Sequence, residues 1–127
     1  MFSDRYVQDV PGYCLVVDDD DDIREATRDV MERHGYEVVA VSSGAEALAF
    51  LIHDTPDLVL LDLQMDDMNG WEVLGALRSN PRFSEVEVVV VTGCDATVGH
   101  GVRVLRKPFK IEALVATLNA DNEKRAS

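Results

Sequence analysis

Hydrophobic and polar positions fall in alternating blocks along this chain. Tyr13-Cys14-Leu15-Val16-Val17 is an unbroken apolar run, short and β-branched at its end, and it reads as a strand buried on both faces. Ile23, Ala26, Thr27, Val30 and Met31 then recur at helical spacing, which predicts an amphipathic helix. Acidic residues at its start and Arg33-His34 at its end complement the helix dipole, and Gly35 suits the turn that follows. Glu37 to Val41 is a second strand. Ser42 or Ser43 can cap a helix whose inner face is Ala45, Leu48, Ala49 and Ile52 and which ends before Pro56. Leu58 to Leu61 is a third solid strand, and Gly70 opens a helix carrying Val73, Leu74 and Leu77 that stops near Asn80-Pro81. Val88 to Val91 and Val102 to Leu105 are the fourth and fifth strands. Ile111, Leu114, Val115 and Leu118 form a last helical stripe.

Solid apolar strands alternating with helices predict an α/β fold with a parallel sheet covered on both faces. Five such strands fit a doubly wound, flavodoxin-like sheet of order 2-1-3-4-5. The length, 127 residues, suits one domain. Residues 1–12 read as a polar lead-in, 13–118 as the domain and 119–127 as a polar tail. Only Gly93 to Gly101 join the fourth strand to the fifth. A parallel crossover usually takes about a dozen residues or more, so at most one turn of helix is expected there.

Charge narrows the function. Twelve Lys and Arg against 24 Asp and Glu give a formal net charge of -12. That surface repels phosphate backbones and argues against direct nucleic-acid binding. No apolar run approaches the roughly 20 residues of a membrane span, and the N-terminus lacks the pattern of a secretory signal. Two cysteines, Cys14 and Cys94, are too few for a disulfide scaffold or a zinc site. A cytoplasmic setting is the expectation.

In a parallel sheet, ligands bind beyond the carboxyl ends of the strands. The residues there are Asp18 and Asp19, Asp62, Thr92 and, just past the fifth strand, Lys107. Carboxylates gathered at one edge repel one another unless a cation lies between them. Hard oxygen donors suit Mg²⁺, which retains waters and binds phosphoryl oxygens. A lysine and a hydroxyl complement a phosphoryl group, and a carboxylate can itself be the nucleophile that accepts one. Asp20 to Asp22 read instead as an acidic helix start. A calcium loop is excluded, because Ile23 holds the glycine position and Asp29 the final glutamate.

Leu15-Val16-Val17-Asp18-Asp19, Asp57-Leu58-Val59-Leu60-Leu61-Asp62, Met68-Asn69-Gly70-Trp71-Glu72-Val73-Leu74, Val90-Val91-Thr92-Gly93 and Leu105-Arg106-Lys107-Pro108-Phe109 occur in that order. Together they resemble a receiver domain of a bacterial response regulator, the phosphoacceptor module of two-component and phosphorelay signalling. The resemblance implies that Asp62 accepts a phosphoryl group from a phosphohistidine. It implies Mg²⁺ held by Asp18, Asp19, Asp62 and the backbone carbonyl of Gln64, with Thr92 and Lys107 on the phosphoryl group. The implied partner is a histidine kinase or a histidine phosphotransfer protein. The module would not be an enzyme beyond assisting its own phosphorylation and dephosphorylation. Four positions depart from the pattern. Asp66 and Asn69 differ in the loop after Asp62, Val104 stands where a switch aromatic is common, and Gly93 to Gly101 are too few for the family's fourth helix.

The competing enzyme reading is a small phosphatase of the haloacid dehalogenase type, with Asp18, Asp20 and Thr92 forced onto its motifs. It leaves Asp62 unexplained. A fragment of a larger hybrid kinase or response regulator would carry the same residues. Trp71 and Phe109 read as packing residues, and His34, His53 and His100 as solvated. Cys14 reads as a small buried apolar residue, and Cys94 has no activating neighbour in sequence.

Overall fold

Five parallel strands in the order β2-β1-β3-β4-β5 organise the computed structural model, which describes residues 12–65, 70–92, 103–106 and 116. The elements run β1 (Gly12–Val17), α1 (Asp21–Arg33), β2 (Tyr36–Val41), α2 (Gly44–His53), β3 (Leu58–Asp62), α3 (Gly70–Ser79), a 3₁₀ turn (Pro81–Phe83), β4 (Glu87–Thr92) and β5 (Arg103–Arg106). The expected fold class and strand order are those observed. The strands begin or end within a residue of the expected positions. The Gly93–Gly101 crossover and the last helical stripe lie outside the described residues, apart from Ala116.

Strand parity sorts the core into two layers, because successive side chains point to opposite faces. Leu15, Val17, Val59, Leu61, Val88 and Val90 join Ala47 and Leu51 of α2 and Val73, Leu74 and Leu77 of α3. Cys14, Val16, Leu58, Leu60 and Val89 face Met31 of α1 on the other side. β1 and β3 are buried along their apolar runs. β2 is an edge strand; Glu37 is exposed and its other residues are partly buried.

The caps fix where each helix begins. The Asp20 carboxylate accepts from the backbone N–H groups of Asp22 and Ile23 at 2.9 and 3.0 Å. Ser43 caps α2 by accepting from Glu46 N–H at 3.1 Å. Glu46 reaches back to accept from both the backbone N–H and the hydroxyl of Ser42, each at 2.8 Å. Those Ser42 donors, the backbone one first, hold the Glu46 carboxyl below its ordinary range. Gly35 follows α1 at φ 93°, a left-handed turn that favours glycine.

The inner face expected for α2 needs correction. Ala47 and Leu51 are its buried apolar residues, while Ala45 and Ala49 are exposed and Ile52 is 67% exposed. Only Leu48 of the expected stripe packs inward, beside Phe50. The helix is apolar at nearly every position, so several stripes satisfy a helical period, and packing of Ala47 and Leu51 into the core sets the rotation. Ala26 of α1 is likewise exposed; Thr27 and Met31 carry that helix's burial.

At the opposite end of the sheet from the strand termini named above, Asp57 joins three strands. Its carboxylate accepts from Tyr13 N–H at 2.9 Å. Its own N–H donates to the Tyr13 carbonyl, and its carbonyl accepts from Glu87 N–H. Gly12, at φ 101°, lets the chain pass this carboxylate, since a Cβ there would collide with Asp57 Oδ2.

Two outcomes follow. Asp57→Ala lowers stability by about 1 kcal/mol in urea unfolding, the usual worth of one such hydrogen bond. For Glu46, the folded pKa lies below the unfolded one. Its stabilisation is therefore present above the ordinary carboxylate range and is lost as pH falls through the lowered folded value. Urea midpoints of wild type and Glu46→Gln accordingly differ near neutrality and converge in acid.

Candidate functional site

Two neighbouring strand ends, those of β1 and β3, deliver the acidic residues. β1 pairs with β3 so that Val17 lies beside Leu61, which brings Asp18 and Asp19 level with Asp62. One carboxylate oxygen from each of Asp18, Asp19 and Asp62 lies within 4.8 Å of the others. Asp18 is 5% exposed and Asp62 1% exposed; Asp19 is half-buried.

The two buried carboxylates are oriented by the same local device. Asp18 Oδ1 accepts from Asp20 N–H at 2.9 Å, and Asp62 Oδ1 accepts from Gln64 N–H at 2.9 Å. Each is a turn in which an aspartate captures the backbone two residues on. The peptide at Asp18 is held on both sides. Its N–H donates to the Val41 carbonyl of β2, and its carbonyl accepts from Arg24 Nη1 at 2.9 Å. Leu63 N–H donates to the Val91 carbonyl of β4, which carries the strand pairing past Asp62.

Gly70 closes the site from beneath. A Cβ on this residue would stand 2.7 Å from the Asp62 carbonyl oxygen and 2.9 Å from Leu63 Cα. The first turn of α3 thus rests directly on the backbone that carries Asp62, a contact only glycine permits. Trp71, next in sequence, is 45% exposed. That corrects its expected place as a packing residue: Gly70 turns inward, and its neighbour is carried to the outer side of α3.

Thr92 is the last residue of β4, its backbone level with Arg106 of β5. Lys107, Pro108, Phe109, Asp66, Asn69, Cys94 and His100 lie outside the described residues. Val104 is 42% exposed on β5. His34 and His53 are exposed. Cys14 is buried, and burial pushes its thiol well above the ordinary range, so it stays protonated. Sequence patterning passed over Arg24 and Asp57. Arg24 was detectable only as the first cation after the run Asp18 to Asp22, and Asp57 as the polar residue opening a solid strand.

A doubly wound parallel sheet with buried carboxylates at adjacent strand ends defines the class. The sequence matches the family described as "Response regulator receiver domain" over residues 14–119, and the chain belongs to that family. A response regulator MprA of Mycolicibacterium vanbaalenii is 35% identical over 118 residues, covering 87% of this chain and 50% of the relative. The chain therefore spans about half the length of the curated relatives it matches. Among solved structures, the chemotaxis response regulator CheY4 of Vibrio cholerae superposes with a TM-score of 0.76 at 29% identity, over 86% of this chain and 97% of that one. The response regulator TrrA of Thermotoga maritima, solved in complex with Mg²⁺-BeF, gives 0.74 at 26% identity over the same shares. The chain is a receiver module, and these relatives favour that reading over a haloacid-dehalogenase-type phosphatase. No helix among the described residues is long and apolar enough to cross a membrane.

Gly70→Ala forces the β3 end and α3 apart. The expected cost is about 1–3 kcal/mol, as for other overpacked sites, and urea unfolding measures it.

Proposed function

We propose that this receiver accepts a phosphoryl group on Asp62 from a phosphohistidine of a histidine kinase or histidine phosphotransfer protein. Mg²⁺ is bound through Asp18, Asp19, Asp62 and the Gln64 carbonyl. The observation that carries this reading is the set of three carboxylate oxygens within 4.8 Å of one another at the ends of adjacent strands. Hard, anionic oxygen donors of that kind fit a small divalent cation. The solved relative in complex with Mg²⁺-BeF supports the same choice.

In the transfer, a carboxylate oxygen of Asp62 forms a bond to phosphorus as the phosphorus–nitrogen bond of the phosphohistidine breaks. The imidazole leaves with that electron pair, and an acyl phosphate remains. Gln64 N–H on Oδ1 fixes the plane of the attacking carboxylate. Asp18 and Asp19 supply the negative charge that holds the cation beside it. When bound, the cation offsets charge on the carboxylates and on the phosphoryl oxygens, which is most of what such a transfer requires. Thr92 and Lys107 complete the set by contacting the phosphoryl group, a role that rests on the family resemblance. The downstream response then lies in altered contacts with partner proteins.

Incubation with phosphoramidate and Mg²⁺, followed by peptide mass mapping, tests the assignment. Wild type carries phosphate on the Asp62 peptide, and Asp62→Asn or chelation of Mg²⁺ abolishes it. Phosphate retained by Asp62→Asn overturns the assignment. Calorimetric titration with Mg²⁺ separates the ligands: Asp19→Ala weakens binding strongly and Asp18→Ala less. Equal affinity in Asp19→Ala and wild type contradicts the proposed ligand set.

A further inference from the structure

We infer that Arg24 is a positioning residue for the divalent cation, acting through the peptide that joins Asp18 to Asp19. The inference rests on the reading of Asp18, Asp19 and Asp62 as the Mg²⁺ site. Arg24 lies in the first turns of α1, and only 16% of its side chain is exposed. One guanidinium arm, Nη1, donates to the Asp18 carbonyl at 2.9 Å. The other, Nη2, donates to the Asp21 carboxylate. The same guanidinium attracts Glu46 at the start of α2. Arg24 therefore ties the end of β1 to the start of α1.

The geometry matters because of what the Asp18 carbonyl belongs to. Its peptide unit also contains the Asp19 nitrogen, so fixing that plane fixes where the Asp19 N and Cα stand, the base from which its carboxylate reaches the cluster. With the Asp18 N–H already on Val41, the backbone on both sides of Asp18 is anchored. A planar fork can hold two acceptors in a set relation, and an ammonium cannot.

Charge and geometry predict opposite signs. A cation beside an acidic cluster repels a second cation, so by Coulomb's law alone removal of Arg24 tightens Mg²⁺ binding. If Arg24 works by positioning, its removal weakens binding despite the lost repulsion. Loss of a residue that orients metal ligands typically costs on the order of 10-fold or more in affinity.

The test is Mg²⁺ affinity of the full chain, by calorimetry and by Trp71 fluorescence, for wild type, Arg24→Gln and Arg24→Lys. The expected result is about 10-fold weaker binding in Arg24→Gln and several-fold weaker binding in Arg24→Lys. Urea unfolding establishes that each protein is folded in the assay. Arg24→Lys keeps the charge and the stem, so it decides the matter where Arg24→Gln does not fold. Tighter binding in Arg24→Gln with unchanged binding in Arg24→Lys makes Arg24 a charge alone and overturns the inference. Unchanged affinity in both overturns it as well. In either case wild-type binding leaves the metal-site reading intact, whereas a wild type that binds no Mg²⁺ removes both.

Discussion

Repulsion among carboxylates at the end of an apolar sheet is the constraint on which this structure turns. Asp18 and Asp62 are almost wholly buried, and with Asp19 they approach within 4.8 Å. Like charges at that range interact far more strongly in a protein than in bulk water. The chain holds them there by distributing the work. Parallel register sets β1 beside β3, backbone N–H groups of Asp20 and Gln64 each take one carboxylate oxygen, and Gly70 lets α3 rest against the strand end. The cluster is stable in the fold because its backbone has few other places to go.

That arrangement explains why so much of the site was legible beforehand. A strand buried on both faces reads as a solid apolar run, and its first polar successor marks the functional edge of the sheet. Asp18 and Asp19 follow one such run and Asp62 follows another, so position alone singled them out from 24 acidic residues. The fold class followed from the same runs alternating with helices, and the strand order from the flavodoxin-like arrangement that five such strands fit. The acidic residues Asp20 to Asp22 were separable from the site because helix starts accept negative charge, and Asp20 is the cap.

What escaped the sequence has a common physical character. The rotation of α2 was misplaced because Ala45, Ala47, Leu48, Ala49, Phe50, Leu51 and Ile52 offer no polar face; burial there is decided by tertiary packing. Trp71 was misplaced because its own hydrophobicity was weighed without its position around the helix, where it lies off the Val73, Leu74 and Leu77 stripe. Arg24 and Asp57 act on backbone atoms of residues that are distant in sequence or several positions back. Such contacts have no periodicity, and only the folded chain displays them.

The Asp57 contacts have a reach beyond stability. Asp57 fastens the beginnings of β1, β3 and β4 together, and these are the strands that end at Asp18, Asp62 and Thr92. A strand advances about 3.3 Å per residue, so a slip of one residue at that base would carry Asp18 past Asp62 by a large part of the 4.8 Å within which the carboxylates meet. It would also turn every core side chain on the slipped strand toward the wrong layer. Asp57 is thus the zero mark of a ruler whose reading is taken at the far end of the sheet, where the carboxylates meet.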